Sequence, residues 1–160
     1  MPDLLLFLDI EPSTPEESGF PVTIAWTDRE GHIHHALVQP DDDWVDWEES
    51  GFAHAEVSWE HLVEQGLSCK DVMRRLNQDL GGETVWVDGL DFDEAWLERL
   101  AEAAGASLTF ELAPFARCPA RTGTGDWYQQ REQILLEAGL EPFRAEHNVL
   151  AMLRASGFGD

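Results

Sequence analysis

The order of elements along this chain predicts an α/β domain built on a mixed sheet. Three features point there: an apolar run near the N-terminus closed by acids, two strand-like segments joined by a tight turn, and alternating helical and strand-like segments from about residue 58 onward. The run over residues 4–9, Leu-Leu-Leu-Phe-Leu-Asp, reads as a strand covered on both faces and therefore central. Residues 20–27 and 33–38 read as two more strands, with Asp28-Arg29-Glu30-Gly31 as the hairpin turn between them. Ser58-Trp59-Glu60-His61 opens a short helix. Ser68 caps a longer one whose Val72, Met73, Leu76 and Leu80 recur at helical spacing, and Gly81-Gly82 stops it. Residues 84–87 form a short strand. Asp91 with Glu94 three positions later has the capping-box arrangement and opens a helix with an inner stripe of Phe92, Ala95, Trp96 and Leu100, ended by Gly105. Residues 107–112 form a further strand, residues 114–125 are irregular, and helices follow near 129–138 and 144–155. No internal repeat or linker interrupts the pattern, so residues 1–160 are expected to form one domain.

Composition narrows the function classes. The chain has 160 residues, of which 43% are hydrophobic, including eight Phe and seven Trp, enough to fill a sizeable core. Against 32 Asp and Glu there are only 10 Lys and Arg, a formal net charge of −22, and Lys70 is the sole lysine. Such a surface repels phosphate backbones and anionic headgroups, which excludes a broad basic nucleic-acid patch and a polybasic membrane anchor. A small acidic site that holds metal ions against phosphate remains compatible with it. No apolar run approaches the roughly 18 residues of a membrane span, and the N-terminus lacks the features of a signal peptide. Cys69 and Cys118 lie far apart, in no zinc-binding pattern. These features lead us to expect a cytoplasmic protein with reduced thiols. The acidity also suits a high-salt habitat, where charge is strongly screened.

Asp9 and Glu11 flank Ile10 at the end of the first strand, and strand residues two apart share a face. Two carboxylates held so close repel each other unless a cation lies between them, and Mg²⁺ or Mn²⁺ prefers such oxygen ligands. Alone, the pair reads equally as a strand end beside a solvated acid. Its surroundings add more. Phe7-Leu8-Asp9-Ile10-Glu11 followed by Phe20-Pro21-Val22-Thr23-Ile24-Ala25-Trp26 resembles the first motif of the DEDD-type 3′–5′ exonucleases, the family of RNase T, oligoribonuclease and the proofreading exonuclease of DNA polymerase III. The stretch Val85-Trp86-Val87-Asp88-Gly89-Leu90-Asp91-Phe92-Asp93-Glu94-Ala95-Trp96-Leu97 is similar to the second motif. Ala53-His54-Ala55 sits where many members carry a His-Gly pair. The resemblance runs from about residue 4 to residue 155. It implies a ribonuclease-H-like fold, a mixed sheet flanked by helices, and two metal ions roughly 4 Å apart that cleave phosphodiesters. It also implies Asp9, Glu11 and Asp93 as metal ligands, a single-stranded nucleic-acid 3′ end as partner, and a homodimer as one arrangement. From the residues alone, Asp93 is an acid favoured in the first turn of a helix.

The third motif of the family brings a histidine as general base and, five residues later, an aspartate as fourth ligand. The matching stretch is Pro142-Phe143-Arg144-Ala145-Glu146-His147-Asn148. In that register Phe143 stands for the base and Asn148 for the ligand. Phenylalanine accepts no proton, and asparagine offers a metal only a neutral oxygen. A register shifted to make His147 the base puts Met152 in the ligand position; unshifted, His147 is a surface histidine on the last helix. The resemblance therefore implies a 3′–5′ exonuclease with weak or lost activity. The alternative is a non-catalytic descendant that binds nucleic acid or protein.

Three other features have structural as well as functional readings. His32 and His34 share a strand face beside His35, as hairpin decoration or as part of a transition-metal site. Trp44 and Trp47 either plug the core edge or stack bases. Arg121-Thr122-Gly123-Thr124-Gly125 is too short for a phosphate-binding loop.

Overall fold

The computed structural model describes residues 5–14, 16–44, 58–88, 92–141 and 144–157. The first strand, β1 (Leu6–Pro12), starts and ends later than its apolar run suggested, because Ile10, Glu11 and Pro12 continue it. It pairs antiparallel with β2 (Pro21–Thr27), which pairs antiparallel with β3 (Ile33–Leu37). On its other side β1 runs parallel to β4 (Thr84–Val87), and β4 runs parallel to β5 (Glu111–Pro114). The described strands form one mixed sheet in the order β3-β2-β1-β4-β5, with β1 at its centre.

Among the described residues five α-helices flank the sheet: α1 (Trp59–Gln65), α2 (Cys69–Leu80), α3 (Asp93–Ala104), α4 (Trp127–Ala138) and α5 (Ala145–Ala155). Ser58 and Ser68 cap α1 and α2 by accepting the backbone N–H groups of His61 and Asp71, both at 3.1 Å. α3 departs from expectation. It begins at Asp93, with Phe92 in the cap position and no capping side chain, and Asp91 lies outside the described residues. The expected capping box rests on Asp91 and so falls outside the described residues. Asp93 instead stands at its first position, where the helix dipole favours a carboxylate. Gly105 ends α3 with φ +66°, a left-handed turn that L side chains resist. The last expected strand lies further along the chain: Ser107 and Thr109 are tied to Asn77 and Gly82 at the end of α2, and β5 begins at Glu111.

The alternation along β1 divides the core into two layers. Leu6, Leu8 and Ile10 face one side with Val22, Ile24 and Trp26, against Val72, Met73 and Leu76 of α2 and Leu97 and Leu100 of α3. Phe7 faces the other side with Ala25, against Trp127 and Leu135 of α4 and Val149 and Met152 of α5. Asp9 and Glu11 follow Phe7 on that second face. Period two therefore carries the strand from apolar core to buried acid under the last helix. No helix among the described residues is long and apolar enough to cross a membrane.

Candidate active site

Asp9 and Glu11 are buried, at 4% and 7% exposure. The Leu8–Val87 pairing sets the end of β4 beside the middle of β1, so Asp88, one residue beyond β4, comes in beside Asp9. Asp93 reaches the same region from the start of α3. Burial, and then the charges of Glu11, Asp88 and Asp93, hold the Asp9 carboxyl well above its ordinary protonation range. Burial likewise raises the Glu11 carboxyl, to about 7; a hydrogen bond with Asp9, the Arg131 charge and the Asn148 amide pull the other way.

Asn148, 1% exposed on the first turn of α5, bridges the first two acids. Its Nδ2 donates to Asp9 Oδ2 at 3.0 Å and to Glu11 Oε1 at 3.0 Å. The amide answers their negative charge with two N–H donors where a fourth carboxylate would have added to it. Asp88, missed in the sequence reading, is bound on both oxygens: Trp127 Nε1 donates to Oδ1 at 3.0 Å, and Arg131 Nη1 donates to Oδ2. The signal for Asp88 was present, because an acid directly after a strand parallel to β1 must end level with Asp9. Nothing local in the sequence marked Arg131.

The structure thus gathers Asp9, Glu11, Asp93 and Asn148, and it places His147 differently. His147 Nδ1 accepts the backbone N–H of Glu141 at 2.8 Å, across the turn between α4 and α5. That contact points Nδ1 toward the turn between the two helices. Phe143, Ala53-His54-Ala55 and Trp47 lie outside the described residues. Trp44 is buried and stacks on Phe20 with ring centroids 5.0 Å apart. The hairpin histidines meet acids: His34 contacts Asp28 at 2.8 Å, His32 contacts Asp28 at 3.6 Å, and His35 meets Glu146 at 3.3 Å. Arg121 and Thr122 spend their side chains on Gln130, Gly125 and Ala155.

The donor set decides which cations suit the site. Asp9, Glu11 and Asp93 offer buried carboxylate oxygens of the kind that hard divalent ions take. Among the described residues, no three His, Cys, Asp or Glu side chains converge closely enough to enclose a cation as they stand. To hold one ion, the acids would have to close on it in place of the Asn148 N–H donors between Asp9 and Glu11. A second does not fit, because the fourth donor is neutral and Asp88 is committed to Arg131 and Trp127.

The raised carboxyls make a stability prediction. In the unfolded chain Glu11 titrates near 4.5, and in the folded chain near 7. Between those values the native state holds the extra proton, so stability falls as pH rises through that window and the cost is complete above it. Glu11→Gln removes that cost while keeping an oxygen for Asn148. In EDTA at pH 8 it is expected to raise unfolding free energy by roughly 1–3 kcal/mol, with no gain at pH 4. Urea unfolding at both pH values measures it. Equal stabilities at pH 8 would show that ionised Glu11 is already well compensated.

The fold that carries this site is ribonuclease-H-like, a mixed sheet flanked by helices. No family model and no curated protein matches the chain. Among solved structures it is similar to E. coli exonuclease I in complex with a dT13 oligonucleotide, at 13% identity and a TM-score of 0.66, over 95% of this chain and 40% of that one. The zinc-ion-bound form of the E. coli exonuclease I–ssDNA complex matches at 13% identity and a TM-score of 0.66, over 95% of this chain and 39% of that one. A further exonuclease I structure matches at 14% identity with the same TM-score, over 94% and 39% of the two chains. The likeness is one of fold, and the chain spans about two fifths of the length of these exonuclease I chains.

Proposed function

We propose that this chain is a divergent 3′–5′ exonuclease-fold protein that receives a single-stranded nucleic-acid 3′ end at Asp9, Glu11 and Asp93, with weak or lost hydrolysis. The observation that carries the reading is the Asn148 amide seated between two buried acids of a ribonuclease-H-like sheet. It supports both parts at once. Buried acids at the end of a central strand are costly for stability and give the fold nothing that apolar residues would not. They are worth keeping for a ligand. The amide beside them, in place of a charged group, weakens the hold on metal that phosphodiester cleavage needs.

Asp9, Glu11 and Asp93 would hold the ion, Mg²⁺ or Mn²⁺. Bound there, it supplies the positive charge that draws a phosphate to a chain of net charge −22. The remaining contributions come from the protein. Asn148 spaces the first two acids, the β1 and α5 layers exclude water from behind them, and His147 Nδ1 is engaged by the Glu141 N–H. The test is equilibrium binding of a short single-stranded oligonucleotide with a free 3′ hydroxyl, by fluorescence anisotropy in Mn²⁺ or EDTA, compared with Asp9→Ala.

A further inference from the structure

Arg131 is a cation on the edge of a cluster of acids, and its position is fixed from several sides. Its side chain, 20% exposed, projects from the second turn of α4, donates from Nη1 to Asp88 Oδ2, and lies over the Tyr128 ring with Cζ 5.1 Å from the centroid. Its Nε is buried and has no hydrogen-bond partner among the described residues. Asp88 is itself held from the neighbouring position on α4, since Trp127 Nε1 donates both to its Oδ1 and, at 3.1 Å, to its main-chain carbonyl. Trp127 is in turn anchored in the second core layer beside Phe115, 4.5 Å between centroids. The guanidinium is therefore placed by the core and by one buried acid, and solvent screens it poorly. It lies against the site proper through Asp88, which the parallel pairing of β1 with β4 sets level with Asp9.

An aspartate spent on an arginine is unavailable to a metal, and an arginine fixed beside carboxylates repels one. We propose that Arg131, fixed by Asp88, is the resident cation of the acid cluster and takes the electrostatic place of a second divalent ion, so that the site binds one such ion. The proposal rests on the reading of Asp9, Glu11 and Asp93 as a cation site.

Mn²⁺ binding to the full chain, followed by titration calorimetry, tests it. The parent is expected to take one Mn²⁺ per chain. Arg131→Met, which keeps the stem over Tyr128 and removes the charge, should bind Mn²⁺ about tenfold more tightly or take a second ion. Arg131→Lys should behave as the parent. A merely structural arginine predicts the opposite, because loosening the cluster weakens binding. Should the Met variant fail to fold, Arg131→Gln still donates to Asp88 and carries the same expectation. Two ions in the parent, or charge-removing variants with unchanged or weaker Mn²⁺ binding, would overturn the role given to Arg131. A parent that takes no Mn²⁺ while Arg131→Met takes one would support that role and count against cation binding by the natural chain. Absence of Mn²⁺ from every variant would overturn both.

Discussion

Phe143→His combined with Asn148→Asp is expected to raise Mn²⁺-dependent release of nucleotides from a short single-stranded oligonucleotide by about 10²-fold or more over the parent chain. The expectation follows from the register Pro142-Phe143-Arg144-Ala145-Glu146-His147-Asn148 and from where α5 puts Asn148. A positioned general base contributes typically ~10²–10⁴-fold, phenylalanine at 143 supplies none, and His147 Nδ1 is already accepting the Glu141 N–H. Aspartate at 148 faces Asp9 and Glu11, where the amide now stands 3.0 Å from each. Its charge offsets that of Arg131 and strengthens the hold on cations. Either change alone should gain little, because a base without a held ion and an ion without a base each leave the other deficit in place. Asp9→Ala added to the pair should abolish the gain. A folded double variant that binds metal without cleaving would place the remaining defect in the substrate groove. A parent already fully active, and silenced by His147→Ala, would instead make His147 the base.

Asn148→Asp on its own has a second large effect, on stability. The parent amide gives two N–H donors to buried carboxylates; aspartate withdraws both and adds a further acid among Asp9, Glu11, Asp88 and Asp93. An uncompensated buried charge costs about 3–5 kcal/mol. The variant is therefore expected to lose roughly that much in EDTA at pH 8. The loss should be smaller at pH 5, where the cluster takes up protons, and saturating Mn²⁺ should recover much of it by linkage. Thermal and urea unfolding with and without Mn²⁺ measure all three. Unaltered stability in EDTA would mean that the amide does not hold the acids together.

The sheet was legible in the sequence because its signals are local. The apolar run into Asp9, the turn at Asp28-Arg29-Glu30-Gly31 and the serine caps of α1 and α2 each act over a few residues, and each appears as an element. The start of α3 and the position of β5 were less legible, since tertiary packing sets them. Within the site, Asp9 and Glu11 could be paired from the two-residue period of a strand. Asp93 and Asn148 needed the family's spacing before they stood out from other helical residues. Asp88 and Arg131 were missed because their contact joins residues 43 apart, through the parallel pairing of β1 with β4 and the seating of Trp127. Trp44 resolved as core because Phe20 lies against it, a contact the acidic loop sequence did not reveal.

Anisotropy of a 3′-hydroxyl oligonucleotide on the unaltered chain, in Mn²⁺ and then in EDTA, bears most directly on the central claim. Saturable binding is expected in Mn²⁺, and it should disappear in EDTA, disappear in Asp9→Ala, and weaken when the 3′ end carries a phosphate. Binding that survives EDTA and Asp9→Ala unchanged, or no binding in Mn²⁺ at all, would contradict that claim.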